Sequence, residues 1–120
     1  MSSKVPKAYL DFIERFPELG QAWDLMRDSG ENAGPLDERT RLLIKLGIAI
    51  GAQRSGATSS ATRKALKAGL SNREIDQVIA LAASTVGMPA AVAAFQWMNQ
   101  ARNKLDHHQH ARLQNPSSDS

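Results

Sequence analysis

The sequence predicts an all-α protein of about six helices. Three observations predict it. Apolar residues recur three and four positions apart through most of the chain. Residues that start and stop helices stand at the ends of those stretches. No segment reads as a strand, and no repeat of solenoid period is present.

Val5, Tyr9, Phe12 and Phe16 place a first helix over about Lys7 to Phe16. Pro17 suits the first position of a second helix, whose apolar stripe is Leu19, Trp23 and Met26. Gly30 to Pro35 reads GENAGP, a loop by composition. Asp37 is the expected N-cap of a third helix running to about Ala52, with Glu38 in a first turn where the helix dipole favours a carboxylate. From Leu42 to Ile50 only Lys45 is charged. A helix apolar nearly all round is surrounded by protein, so this one is expected at the centre of the fold or inside an oligomer.

A fourth helix is expected from about Ala57 to Ala68. Ala57, Ala61, Ala65 and Ala68 form a small-residue stripe that lets a neighbouring helix approach, and Ser60, Arg63, Lys64 and Lys67 form a solvated face. Gly69 can take the left-handed conformation that ends this helix. Ser71 and Glu74 then spell the S-x-x-E capping box, with Leu70 and Ile75 at the two staple positions. The fifth helix runs from Asn72 to about Val86 with Ile75, Val78, Ile79, Ala82 and Val86 inward. A sixth begins at Pro89 and has Leu105 near its end. Residues 107–120, HHQHARLQNPSSDS, read as frayed helix and then disorder. The chain therefore divides into N-terminal helices and a loop over 1–34, a helical domain over 35–105 and a polar tail over 106–120.

Composition narrows the function. The chain has 120 residues and no cysteine, which excludes disulfides, thiolate metal sites and a cysteine nucleophile. A net charge of +3 is mild for a nucleic-acid binder. The N-terminus lacks the apolar segment of a signal peptide, and a cytoplasmic protein is expected. Gln77 to Ala101 is 25 residues without a formal charge, long enough to span a bilayer. Its Ser84, Thr85, Gln96 and Asn99, and the Gly87–Pro89 break, fit two buried helices and a tight turn instead; no membrane partner is expected.

GLSNREI, at Gly69 to Ile75, resembles the opening of the helix-turn-helix module of LuxR-type regulators, which makes a DNA binder the remote alternative. Asp76 stands where that family has a small residue, and from Glu74 to Ala101 there is no lysine or arginine at all. Phosphate contacts supply most DNA affinity, so no nucleic-acid partner is expected. His107, His108 and His110 offer i, i+3 spacing, yet only Asp106 accompanies them, and no metal site is expected. No G-x-S-x-G turn or phosphate loop is present, and no cofactor is expected.

Three stretches occur in a suggestive order: LD-x-x-TR at Leu36 to Arg41, R-x-AL-x-AGLS-x-x-EI at Arg63 to Ile75, and G-x-PAA at Gly87 to Ala91. They resemble the carboxymuconolactone decarboxylase and alkylhydroperoxidase D-like superfamily from about Pro35 to Trp97, and FPELGQAWDLM at Phe16 to Met26 resembles the helix that often precedes that domain. The resemblance implies an alkylhydroperoxidase D-like helical bundle assembling as a homo-oligomer, a trimer or hexamer. Peroxidatic members use a C-x-x-C pair, a histidine four residues later and a glutamate twelve residues before the first cysteine. Aligned on the shared motifs, those positions hold Arg54, Ala57, Ala61 and Leu42. Alanine and leucine neither move protons nor oxidise, and arginine is a poor base. The resemblance therefore implies a member without thiol peroxidase activity, acting as a small-molecule-binding or scaffold oligomer. Any remaining pocket would be lined by Gln53, Arg54, Ser55 and Thr58, with Arg54 able to pair with a small acidic ligand. The plain alternative for Arg54 is a surface arginine at a helix end. The catalytic alternative is a decarboxylase or lactone- or ketoacid-processing enzyme with relocated chemistry, in which Arg54 steadies a developing enolate.

Overall fold

The computed structural model describes residues 6–114, with side chains through Asp106. The chain forms two compact units that divide between Leu36 and Asp37. The first holds α1 (Lys7–Arg15) and α2 (Pro17–Asn32), and the second holds α3 (Glu38–Gly51), α4 (Ser55–Lys67), α5 (Asn72–Val86) and α6 (Met88–Gln114). Among the described residues there is no strand, so the six helices expected from periodicity are the whole regular structure.

In the first unit only Phe16 separates the two helices. Its amide closes α1 on the Phe12 carbonyl at 2.8 Å, while its own carbonyl accepts from Leu19 at 3.0 Å and Gly20 at 3.2 Å. The helices approach closely at Gly20, where an added Cβ would stand 3.1 Å from Ile13. The expected loop begins late, because α2 runs on to Asn32. Gly30 is a weak helix former rather than a stop; the helix ends just ahead of Gly34–Pro35, where the residue before proline disfavours helical backbone.

In the second unit, α3 packs on α4 and α5, and α6 packs on the same two helices from the other side. Between them lie Leu46 and Ile50 of α3, Ala65 of α4, Leu70, Ile75 and Ile79, and Ala91, Ala94 and Met98 of α6. The caps are those read from sequence. Asp37 Oδ1 accepts from the Thr40 amide at 2.8 Å. Ser71 Oγ accepts from the Glu74 amide at 3.1 Å, and Glu74 Oε1 accepts from the Ser71 amide at 2.8 Å, completing the capping box. Gly69 takes φ 93°, and the Gly69 and Leu70 amides close α4 on the Leu66 and Ala65 carbonyls, both at 3.0 Å. That pair of bonds is a Schellman motif with its usual glycine.

Two expectations need correction. The fourth helix starts at Ser55, two residues early, because its N-cap Arg54 has no capping side chain to mark it. The sixth starts at Met88 and continues to Gln114, since Gly87, at φ 92°, makes the break in one residue. Within the single chain α3 buries Leu46, Ala49 and Ile50 and leaves Ile44 and Ile48, four residues apart, exposed, Ile48 by 65%. Among the described residues no helix is long and apolar enough to cross a membrane.

Candidate functional site

The α3–α4 junction gathers the candidate residues, and its geometry starts at the end of α3. The Gln53 amide donates to the Ile50 carbonyl at 3.0 Å and the Arg54 amide to the Ala49 carbonyl at 3.1 Å. This is the same Schellman arrangement that glycine closes at the end of α4, but here Gln53 occupies the left-handed position, at φ 55°. An L-residue is disfavoured there. The side chain supplies the compensation: Gln53 Nε2 donates to the Ile50 carbonyl at 2.9 Å and to the Ala90 carbonyl of α6 at 3.3 Å. Gln53 thus ties the end of α3 to the start of α6 through its side-chain nitrogen.

Arg54 follows as the N-cap of α4, extended at φ −102° and ψ 106°. Its guanidinium is exposed and makes no hydrogen bond or ion pair among the described residues. No side chain caps α4, so the amides of Ser55, Gly56 and Ala57 carry the unmet donors of the first turn. The positive end of the helix dipole and a free guanidinium therefore coincide, an arrangement that attracts an anion.

Thr58 departs from this exposed group. It is 0% exposed, and its Oγ1 is buried without a hydrogen-bond partner. One turn later Thr62, also 0% exposed, donates from its own hydroxyl to the Thr58 carbonyl at 2.8 Å. Thr62 uses the usual helical acceptor four residues back, whereas the Thr58 hydroxyl does not. Of the four candidates, Gln53, Arg54 and Ser55 are exposed, and Thr58 alone enters the interior.

The model of the carboxymuconolactone decarboxylase family matches residues 17–100, from the start of α2 into α6. The chain belongs to that family. A solved structure with the same fold is the apo form of a carboxymuconolactone decarboxylase family protein from Legionella pneumophila, with a TM-score of 0.73 at 20% identity. The likeness covers 81% of this chain and 87% of that one. No curated protein matches the sequence.

Within the carboxymuconolactone decarboxylase fold, the four positions read as the former peroxidatic set separate into two environments. Leu42 and Ala61 are partly buried and pack on the apolar core, where a glutamate or histidine would need polar partners. Arg54 and Ala57 are exposed at the junction. The two positions aligned with the family's glutamate and histidine thus pack against the core, while the two aligned with its cysteines are exposed.

Two polar clusters escaped the sequence reading. Arg102 of α6, with its side chain 13% exposed, donates to Asp76 at 2.8 Å, Asn72 at 3.1 Å and Asn99 at 2.6 Å, and lies 5.8 Å from the Phe95 ring centre. Arg39 of α3 donates to both Glu74 oxygens, at 2.8 and 3.1 Å. The Ser71 amide first, and Arg39 second, hold the Glu74 carboxyl below its ordinary value. Both clusters join helices 26 to 35 residues apart in sequence, a pairing that no local pattern carries. Among the described residues no group of three or more potential ligands could hold a metal. The side chains of His107, His108 and His110 lie outside the described residues.

Proposed function

We propose that this carboxymuconolactone decarboxylase family protein works without thiol peroxidase chemistry, as a homo-oligomer that binds a small acidic molecule at the α3–α4 junction. One observation carries the reading. The Arg54 guanidinium, free of any partner among the described residues, stands at the uncapped end of α4. An arginine can hold a carboxylate through two parallel hydrogen bonds, and open amides at a helix start favour the same charge. The absence of cysteine removes the attacking and resolving thiols that the peroxidatic reaction needs. A reducing cytoplasmic setting and a trimeric or hexameric assembly belong to the same reading.

The test is calorimetric titration of the purified protein with succinate and related small carboxylates. Binding that weakens tenfold or more in Arg54→Ala supports the reading, and no binding in the millimolar range overturns it. Consumption of cumene hydroperoxide with dithiothreitol, above the protein-free rate, would overturn the claim of no peroxidase chemistry. Turnover of a muconolactone-type acid that disappears in Arg54→Ala would move the protein to the decarboxylase alternative.

A further inference from the structure

Among the described residues, the Thr58 hydroxyl is the only buried side-chain oxygen or nitrogen without a hydrogen-bond partner. Thr58 is the first buried residue of α4: residues 51–57 are all exposed, and Thr58 is 0% exposed. It stands four positions after Arg54, one turn along, and so on the same side of the helix. Helical side chains lean toward the N-terminus of their helix, so Thr58 leans over the turn whose amides at Ser55, Gly56 and Ala57 are open. All of these residues belong to the second unit. We propose that the start of α4 recognises a 2-hydroxy or 2-oxo acid: the carboxylate meets Arg54 and the open amides, and the oxygen on the neighbouring carbon bonds to the Thr58 hydroxyl. This rests on the acid-binding reading above and names the class of acid.

Thr62 shows what the helix itself offers a hydroxyl on this face. It donates to the carbonyl four residues back, that of Thr58, at 2.8 Å. Thr58 has the equivalent acceptor in the Arg54 carbonyl, which takes the Thr58 amide at 2.9 Å, yet its hydroxyl forms no bond there. A buried hydroxyl without a partner is costly, and a ligand oxygen would remove that cost. A hydroxyl both donates and accepts, so it serves a ligand carbonyl and a ligand hydroxyl equally. Spacing places the second oxygen. One turn rises about 5.4 Å, a gap that two hydrogen bonds of about 3 Å from oxygens on adjacent carbons can cover. A plain carboxylic acid turns only a methylene toward Thr58. The ligand enters from the exposed first turn of α4 and displaces the side chains that cover the hydroxyl.

Matched pairs of acids isolate the second oxygen: malate against succinate, and 2-oxoglutarate against glutarate. In calorimetric titration the wild type should bind at least one oxygenated acid tenfold or more tightly than its plain counterpart. Thr58→Val removes the hydroxyl and keeps the branched shape, and it should abolish the preference; Thr58→Ser should keep it. Thr58→Ala serves as a second deletion, and thermal melting without ligand checks that each variant is folded. Arg54→Ala should weaken all four acids. A preference below tenfold in both pairs, with binding that still depends on Arg54, overturns the Thr58 contact and leaves the acid-binding reading standing. A preference that survives in Thr58→Val or Thr58→Ala does the same. No binding of any of the four acids in the millimolar range overturns both.

Discussion

Gln53 and Thr58 each break a local preference, five residues apart in sequence. At Gln53 the backbone takes a conformation that costs an L-residue about 1–2 kcal/mol, and the side-chain amide offsets it through the Ile50 and Ala90 carbonyls. Gln53→Ala keeps the strained backbone and loses both bonds, so it should lower stability by about 1–2 kcal/mol. Gln53→Gly loses the same bonds but relieves the strain. Thermal or urea unfolding should therefore rank glycine above alanine at this position, the reverse of their order inside a helix. Thr58 invites the opposite experiment. Its buried hydroxyl has no partner, so Thr58→Val should be neutral or stabilising by up to about 1–2 kcal/mol. A clear loss of stability would mean that the hydroxyl is satisfied in solution. The presence of Gln53 and Thr58 near a helix start is legible in sequence, but their conformations are not, because each depends on α6 or the core lying opposite.

Among the elements, the start of α5 concentrates the most readable local code. Ser71 and Glu74 form the capping box that their spacing announces, and Ser71→Ala should cost about 1 kcal/mol. Glu74 also accepts from Arg39, so one carboxylate caps α5 and ties it to α3. Its folded pKa is lowered from the ordinary 4.5. A depressed carboxyl contributes stability that is present above its unfolded pKa and lost as pH falls through the folded one. The stability gap between the wild type and Glu74→Gln should therefore be steady at neutral pH and close as pH drops below 4.5; a gap that persists in acid would show that the carboxylate charge is not its source. The start of α4 is the contrasting case. Its N-cap is Arg54 without a capping bond, so no Ser, Thr, Asp or Asn announces it, and the sequence reading placed the helix two residues late. Similarly, the polar C-terminal part of α6 has no apolar stripe from which its length could be read.

For the molecule as a whole, α3 shows where pattern ends and packing begins. Ile48 and Ile50 look alike in the run from Leu42 to Ile50, yet Ile50 is fully buried while Ile48 is 65% exposed. Ile50→Ala should cost about 2–5 kcal/mol through lost contacts and the cavity left behind. Ile48→Ala should cost less than about 0.5 kcal/mol in an isolated chain. Unfolding of both variants over a range of protein concentrations checks this, and a larger, concentration-dependent cost at Ile48 would reveal a neighbouring copy covering it. Taken alone, the sequence determined the all-α class, the caps at Asp37 and Ser71, the stop at Gly69 and the absence of thiol chemistry, because each is written in adjacent residues or in composition. The tertiary structure decided which apolar residues face inward, that Leu42 and Ala61 join the core, and that Gln53 is bound while Arg54 stays free. Burial and pairing depend on what the other helices place opposite a residue, and that is fixed only when distant segments pack together.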